Sequence, residues 1–188
     1  MSFHGRVIGL KKSIVGNDNE VIIKNATVTG ATIRIRGNGN RLIIEDDCII
    51  GDSCSFWLEG VDNCIIIGKG TTMTSHCHLN AQERGTRILL GEDCMLSNRI
   101  VIRTSDAHPI YQANVRINPA QDVIIGRHVW IAPGSTVLKG AVIGDGCIVG
   151  SHSLVNKTIP ANSLVVGMPA RVVKEDILWT REDVIMKQ

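Results

Sequence analysis

Val123-Ile124-Ile125-Gly126-Arg127-His128-Val129-Trp130-Ile131-Ala132-Pro133-Gly134-Ser135-Thr136-Val137 decides the fold. From inside this stretch an aliphatic returns every six residues, at Ile125, Ile131, Val137, Ile143, Val149 and Val155. A small residue follows several of them four places later, as at Ser135, Ala141, Cys147 and Ser153. Six is not a helical period, because an amphipathic helix repeats about every 3.6 residues and sets apolar side chains at i, i+3 and i+4. Short strands joined by tight turns account for it. Three strands close a triangular coil, and each pairs in parallel with the strand one coil on. Such a solenoid buries a continuous aliphatic column that no single repeat buries alone.

The same unit runs upstream, at Val21-Ile22-Ile23-Lys24, Leu42-Ile43-Ile44-Glu45, Ile65-Ile66-Ile67-Gly68 and Ile88-Leu89-Leu90-Gly91. A partner follows six residues on: Ile50 after Ile44, Met73 after Ile67, Leu96 after Leu90. Cys48, Cys54, Cys77, Cys94 and Cys147 lie four residues after a column position, where a corner takes a small inward side chain, and cysteine packs as a small hydrophobe. Cys64 is out of this register. The early units are longer, with the excess at Gly37-Asn38-Gly39-Asn40, Glu59-Gly60-Val61-Asp62-Asn63 and Ala81-Gln82-Glu83-Arg84-Gly85. Gly, Asn and Asp tolerate positive φ, so turn bulges are expected there. The largest interruption, about residues 103–122, reads as an extruded functional loop. Residues 1–174 form the β-helix. Residues 175–188 lose the repeat, and Ile177, Leu178, Trp179 and Val184 suit one face of a short C-terminal helix packed on the coil or a neighbour.

Composition excludes several classes. A net charge of +2 lacks the concentrated basic face that nucleic acid needs. Aromatics at 3% leave no base-stacking platform. The opening Met1-Ser2-Phe3-His4-Gly5-Arg6 and its continuation hold no long apolar run, so we expect no signal peptide, no membrane span and a cytoplasmic protein. A reducing compartment argues against disulfides. His76-Cys77-His78 resembles a metal cluster but lacks a second ligand pair at zinc-type spacing, so no metal is expected.

The run from Ile125 through Gly146, and the ending Ile159-Pro160-Ala161-Asn162 with Gly167-Met168-Pro169-Ala170-Arg171-Val172, resemble the hexapeptide-repeat acyltransferase family. The branch most similar is that of galactoside, maltose and xenobiotic acetyltransferases, and especially capsular-polysaccharide O-acetyltransferases. The resemblance covers the chain from about Ile44, strongly from Leu90 to Lys174. It implies an all-β, left-handed parallel β-helix, against the general right-handed rule for parallel crossovers. It also implies a homotrimer with active sites in clefts between subunits, acetyl-CoA as co-substrate and a saccharide hydroxyl as acceptor.

Residue by residue, the resemblance gives His108, in Asp106-Ala107-His108-Pro109-Ile110-Tyr111, the role of general base. A sugar hydroxyl is a poor nucleophile until its proton is taken, and neutral imidazole can take it. Asp106 is a candidate to orient the imidazole, as a carboxylate does in triad-like sites. Trp130 matches a tryptophan beside the thioester, and being too large for the column it must face outward. Ser151 matches a donor to the pantetheine arm. Pro133 stands where a relative has an N–H donor, so that contact should be lost or displaced. Lys157, Arg171 and Lys174 match basic residues near the nucleotide phosphates.

On the acceptor side stand His76, His78 and Asn80, with Tyr111 in the loop. Arg103 and Arg116 flank the loop as candidates for an acidic sugar. His128 and His152 sit at variable corners and are expected to be exposed. No nucleophile elbow is evident, which favours direct transfer in a ternary complex. Two alternatives stay open. One is an amino-sugar or small-alcohol acceptor. The other is a scaffold or metal-binding β-helix, although the His76/His78 spacing does not match the three-histidine pattern.

Overall fold

The computed structural model describes residues 1–182 and is a parallel β-solenoid. Coils stack so that each contributes one strand to each of three sheets. The first sheet runs from Ser2–Phe3 to Thr158–Ile159, the second from Arg6–Ile8 to Leu164–Gly167, and the third from Lys11–Val15 to Leu154–Val155. Ala170–Lys174 then turns back antiparallel on Leu164–Gly167 and closes the edge of the second sheet. The solenoid thus begins well before Ile44, where the family resemblance begins.

Register explains the six-residue period. Ile23, Ile44, Ile67, Leu90, Ile125 and Ile143 are successive partners pointing inward. These residues, and the Ile131, Val137, Val149 and Val155 positions of the other sheets, are at most 3% exposed. Five cysteines fill the corners, each at most 1% exposed. Four of them donate across coils: Cys48 to Gly68 O, Cys77 to Ser97 O, Cys94 to Gly126 O and Cys147 to Pro160 O, at 3.2, 3.1, 3.1 and 2.9 Å. Burial pushes the Cys48 and Cys94 thiols up to about 11, so both stay protonated and are not nucleophiles. Cys64 lies on the outer side of the first sheet, between Arg41 and Arg87.

The long early units differ from the expected turn bulges. Their extra residues lengthen the third-sheet strands to seven residues, Thr32–Asn38, Ser55–Val61 and His78–Arg84. Gly37, Gly60 and Glu83 take φ of 120°, 122° and 80° where these strands bend. Behind them Asn40, Asn63 and Thr86 stack as a buried polar ladder. Asn63 Oδ1 accepts from the Thr86 N–H and hydroxyl, both at 3.0 Å, while its Nδ2 donates to Glu59 O and Glu83 O. The ladder satisfies backbone groups that a longer corner would leave bare.

The tail differs too. Glu175 to Glu182 contain no helix. Trp179, 7% exposed, and Arg181 strap an irregular segment onto the coil, whereas Leu178 points to solvent at 87%. The backbone of the strap is tied by Ile177 N–H to Asn162 O, 2.9 Å, rather than by helical bonds. Val184 lies outside the described residues. Among those described, no helix is long and apolar enough to cross a membrane.

Candidate active site

The excursion leaves the third sheet after Val101–Arg103 and returns to the first at Val123–Ile125. At its centre Tyr111–Gln112 and Val115–Arg116 pair as a hairpin. Ala113 and Asn114, at φ 47° and 63°, make the two-residue turn that such a hairpin requires. His108 lies on the stretch leading in, and its ring is exposed and has no hydrogen-bond partner among the described residues.

What surrounds His108 is a clamp on its backbone. Asn118 Nδ2 donates to His108 O and to Asp106 Oδ2, both at 2.9 Å, and its Oδ1 accepts from Ile110 N–H at 2.6 Å. Lys139, one coil on, donates to Asp106 Oδ2 at 2.5 Å and to Asn118 O at 3.1 Å. On the other side Arg116 grips Glu83 at 2.8 and 2.6 Å, Ser105 Oγ donates to Glu83 Oε1 at 2.7 Å, and Ala107 N–H donates back to Ser105 Oγ at 2.9 Å. Lys139 holds the Asp106 carboxyl below its usual range, and Arg116 does the same for Glu83.

This corrects two expectations. Asp106 does not touch the imidazole, because Lys139 and Asn118 take its carboxylate, and it fixes the loop instead. Arg116 is committed to Glu83 rather than free for an acceptor. Asn118, Lys139 and Glu83 were invisible in the sequence. Their partners lie across coils, and no spacing links them.

The remaining candidates fall on separate faces. His78, Asn80 and Arg103 project from adjacent third-sheet strands, with Asn80 in register with Arg103. His78 Nδ1 stands 2.8 Å from Ser55 Oγ, and burial pushes its imidazolium down, so it is neutral. His76 sits apart, exposed at the corner between the second and third sheets with φ 55°. Tyr111 is 63% exposed on the hairpin. Trp130 projects from the second sheet, in register with Met95 and Ile148. The same outward line continues through Leu164 to Lys174. Arg171 lies beside it and Ser151 at its corner, all three exposed. Lys157 is exposed on the corner shared with the His108 loop.

The candidates therefore fall into two groups: His108 on the third-to-first corner, and a Trp130-to-Lys174 track, about 14 Å long at the usual strand spacing, on the second sheet. Among the described residues nothing joins His108 to Trp130. His128 also departs from expectation. It is half-buried, with Nδ1 2.6 Å from Asp93 Oδ2 and Nε2 3.0 Å from Trp179 O. Among the described residues no group of three His, Cys, Asp or Glu side chains stands where it could hold a metal ion.

The six-residue repeat and the three-sheet parallel coil place the chain among hexapeptide-repeat proteins. A family model described as bacterial transferase hexapeptide (six repeats) matches residues 122–157. The chain is 37% identical over 175 residues to a polysialic acid O-acetyltransferase of Neisseria meningitidis, spanning 90% of this chain and 79% of that protein. It is 32% identical over 121 residues to a polysialic acid O-acetyltransferase of Escherichia coli O1:K1, a match spanning 39% of that longer protein. Two solved structures superpose on nearly all of it. The polySia-specific acetyltransferase NeuO gives TM-score 0.85 at 28% identity, covering 97% of this chain and 86% of that one. The polysialic acid O-acetyltransferase OatWY gives 0.74 at 32% identity, covering 97% and 92%. The chain belongs to the hexapeptide-repeat acyltransferases, and its coil is their left-handed parallel β-helix.

Proposed function

We propose that this chain transfers the acetyl group of acetyl-CoA to a hydroxyl of an acidic, capsule-type surface saccharide, working in the cytoplasm as a homotrimer. The observation that carries the reading is the 37% identity to a polysialic acid O-acetyltransferase along 90% of the chain. His108 removes the hydroxyl proton as the oxygen attacks the thioester carbonyl carbon. The tetrahedral oxyanion collapses, the C–S bond breaks, and the imidazolium returns its proton to the leaving thiolate. The products are the acetyl ester and CoA thiol, with no covalent enzyme intermediate. The exposed Arg171 and Lys174 beyond Trp130 suit the phosphates of the donor.

Two features support a site shared between copies. An aliphatic row, Ile22, Ile43, Ile66, Leu89, Ile124 and Val142, runs down the outside of the first sheet. The hairpin presents Ile110, Tyr111, Val115 and Ile117 at 52–65% exposure. Apolar side chains gathered in this way suit an interface, and in the proposed trimer a second copy would bring Trp130 of one chain to His108 of another.

The test is release of CoA thiol from acetyl-CoA, with a sialic acid polymer and a neutral saccharide as acceptors, for the native chain and His108→Ala. Release that requires the acidic acceptor and falls roughly 10²–10⁴-fold in the variant is the expected result. Unchanged release in the variant overturns His108 as the base. Equal release with the neutral saccharide overturns the acidic acceptor.

A further inference from the structure

The outer side of the third sheet carries a row in which the acceptor-side candidates Asn80 and Arg103 are continued by two residues with no part in the transfer, Trp57 and Arg34. Arg34, Trp57, Asn80 and Arg103 occupy one register position on four successive coils. At the usual strand spacing the row is about 14 Å long. The Arg34 guanidinium lies over the Trp57 ring, 5.0 Å from its centroid. The His78 ring meets Trp57 edge-on at 4.8 Å and 88°. These two neighbours hold the indole upright on the sheet. Asn80 is the small member of the row, set between the indole and Arg103. It is 5% exposed, and its Oδ1 has no hydrogen-bond partner; nor has the buried Arg103 Nε beside it.

A buried acceptor without a partner costs about 1–3 kcal/mol and is rare in native proteins. Here an orphan acceptor and an orphan donor sit on paired residues beside an aromatic wall, with the Arg34 cation on the wall's far side. Arg103 is also the last residue of the strand from which the His108 loop departs.

We propose that this row is a second saccharide subsite, holding a carboxylated sugar unit other than the one whose hydroxyl reacts. The proposal rests on the reading of the chain as a saccharide O-acetyltransferase and adds to it the place where a further unit of a polymeric acceptor would sit. Trp57 offers an apolar plane to a sugar ring. Arg103 offers a planar fork to the carboxylate, with Arg34 adding charge from the far side. Asn80 Oδ1 accepts from a hydroxyl or amide N–H. The nearby Glu59 is engaged by Gln82 Nε2 at 2.8 Å, and Arg36 is its register neighbour on the other side, so the face remains net positive. Trp57 is two strand spacings, on the order of 10 Å, from Arg103, and His108 is five residues beyond. One ring does not reach from the indole to the loop, whereas a chain of units does.

The test compares monomeric sialic acid with a sialic acid polymer as acceptors for the native chain, Trp57→Ala, Trp57→Phe and Arg34→Ala. Trp57→Ala is expected to raise KM for the polymer about tenfold with kcat unchanged, and to leave the monomer alone. Trp57→Phe keeps the plane and should restore most of the polymer KM. Arg34→Ala should weaken polymer use and its salt dependence together. A second arm needs no turnover: polymer added to the native chain should change tryptophan fluorescence, and Trp57→Phe should diminish that change to what Trp130 and Trp179 contribute. Equal effects on monomer and polymer, or a polymer-induced signal undiminished in Trp57→Phe, overturn the subsite. A native chain that binds polymer through Trp57 yet transfers to no saccharide would sink the enzymatic reading and leave the subsite standing.

Discussion

Trp179 stacks on His128 with ring centroids 3.9 Å apart and planes 10° from parallel, and each residue hydrogen-bonds the other's carbonyl at 3.0 Å. This reciprocal lock places Trp179 6.0 Å from the Trp130 ring, so the tail forms one wall around the tryptophan assigned to the thioester. Arg181 pins the strap further, with Nε 2.6 Å from Asp93 Oδ1. Trp179→Ala removes the stack and the indole Nε1 bond to His128 O, while the bond to the backbone carbonyl of residue 179 remains. The strap should then open roughly 30-fold more readily, corresponding to about 2 kcal/mol of lost local stability. Hydrogen exchange at the Ile177 amide, which donates to Asn162 O, checks this. The KM for acetyl-CoA should rise while that for the saccharide holds. Unchanged exchange would show that the strap is held without the stack.

The clamp on the His108 loop predicts a kinetic signature. Asn118 is 7% exposed and makes one bond to each of three loop groups. Asn118→Ala should lower kcat about tenfold or more through misplacement of the base, with little change in KM for acetyl-CoA. Lys139→Met should do less, since it leaves the Asn118 bonds in place. An Asn118→Ala enzyme with native kcat would mean that the loop is shaped by something other than this network.

The same clamp fixes the direction of pH dependence. Asp106 and Glu83 are held below their ordinary values of 3.8 and 4.5 by Lys139 and Arg116. A carboxyl depressed in the folded state contributes stability that is fully present above its unfolded pKa and lost as pH falls through its folded pKa. The loop should therefore stay ordered from neutral pH down to about pH 4 and loosen below it. Amide exchange at Ala107 and Ile110, followed against pH, reads the transition. Loosening that begins near pH 6 would assign the event to a histidine instead.

How much of this was legible in the sequence depended on the reach of the interaction. The column from Ile125 to Val155 and the five corner cysteines follow from a period of six, because each position repeats its own environment in every coil. The tail was misread. Ile177, Leu178 and Trp179 suggested a helical face, yet Trp179 alone is buried, against His128, and that pairing spans 51 residues. Asp106 was misread for the same reason: its partner Lys139 is 33 residues away. Even the Asn63 ladder was visible only as excess length, since the coil register that stacks Asn40, Asn63 and Thr86 depends on how the extra residues are absorbed. Asn63→Ala should strip four hydrogen bonds from a site 0% exposed and cost about 3 kcal/mol. A drop in Tm of roughly 6–12 °C for a chain of this size would be measured by calorimetry.

The separation of His108 from Trp130 makes the last prediction. The two stand on successive coils and on different sides of the solenoid, so a single chain in isolation should be inactive. Ile66 lies midway down the outer aliphatic row, in register with Ile43 and Leu89, and makes no contribution to the inner column. Ile66→Glu puts a charge into that row without touching the core. If the row joins copies, the charge must be buried unpaired at each contact, which costs several kcal/mol and is enough to dissociate the assembly. Sedimentation should then show a monomer of about 20.4 kDa, with melting behaviour close to native and acetyl transfer lost. Activity should return in proportion to the assembled fraction when Ile66→Gln, which carries no charge, is measured at increasing protein concentration. A monomeric Ile66→Glu that keeps full turnover would place the whole site within one chain and overturn the shared-cleft arrangement.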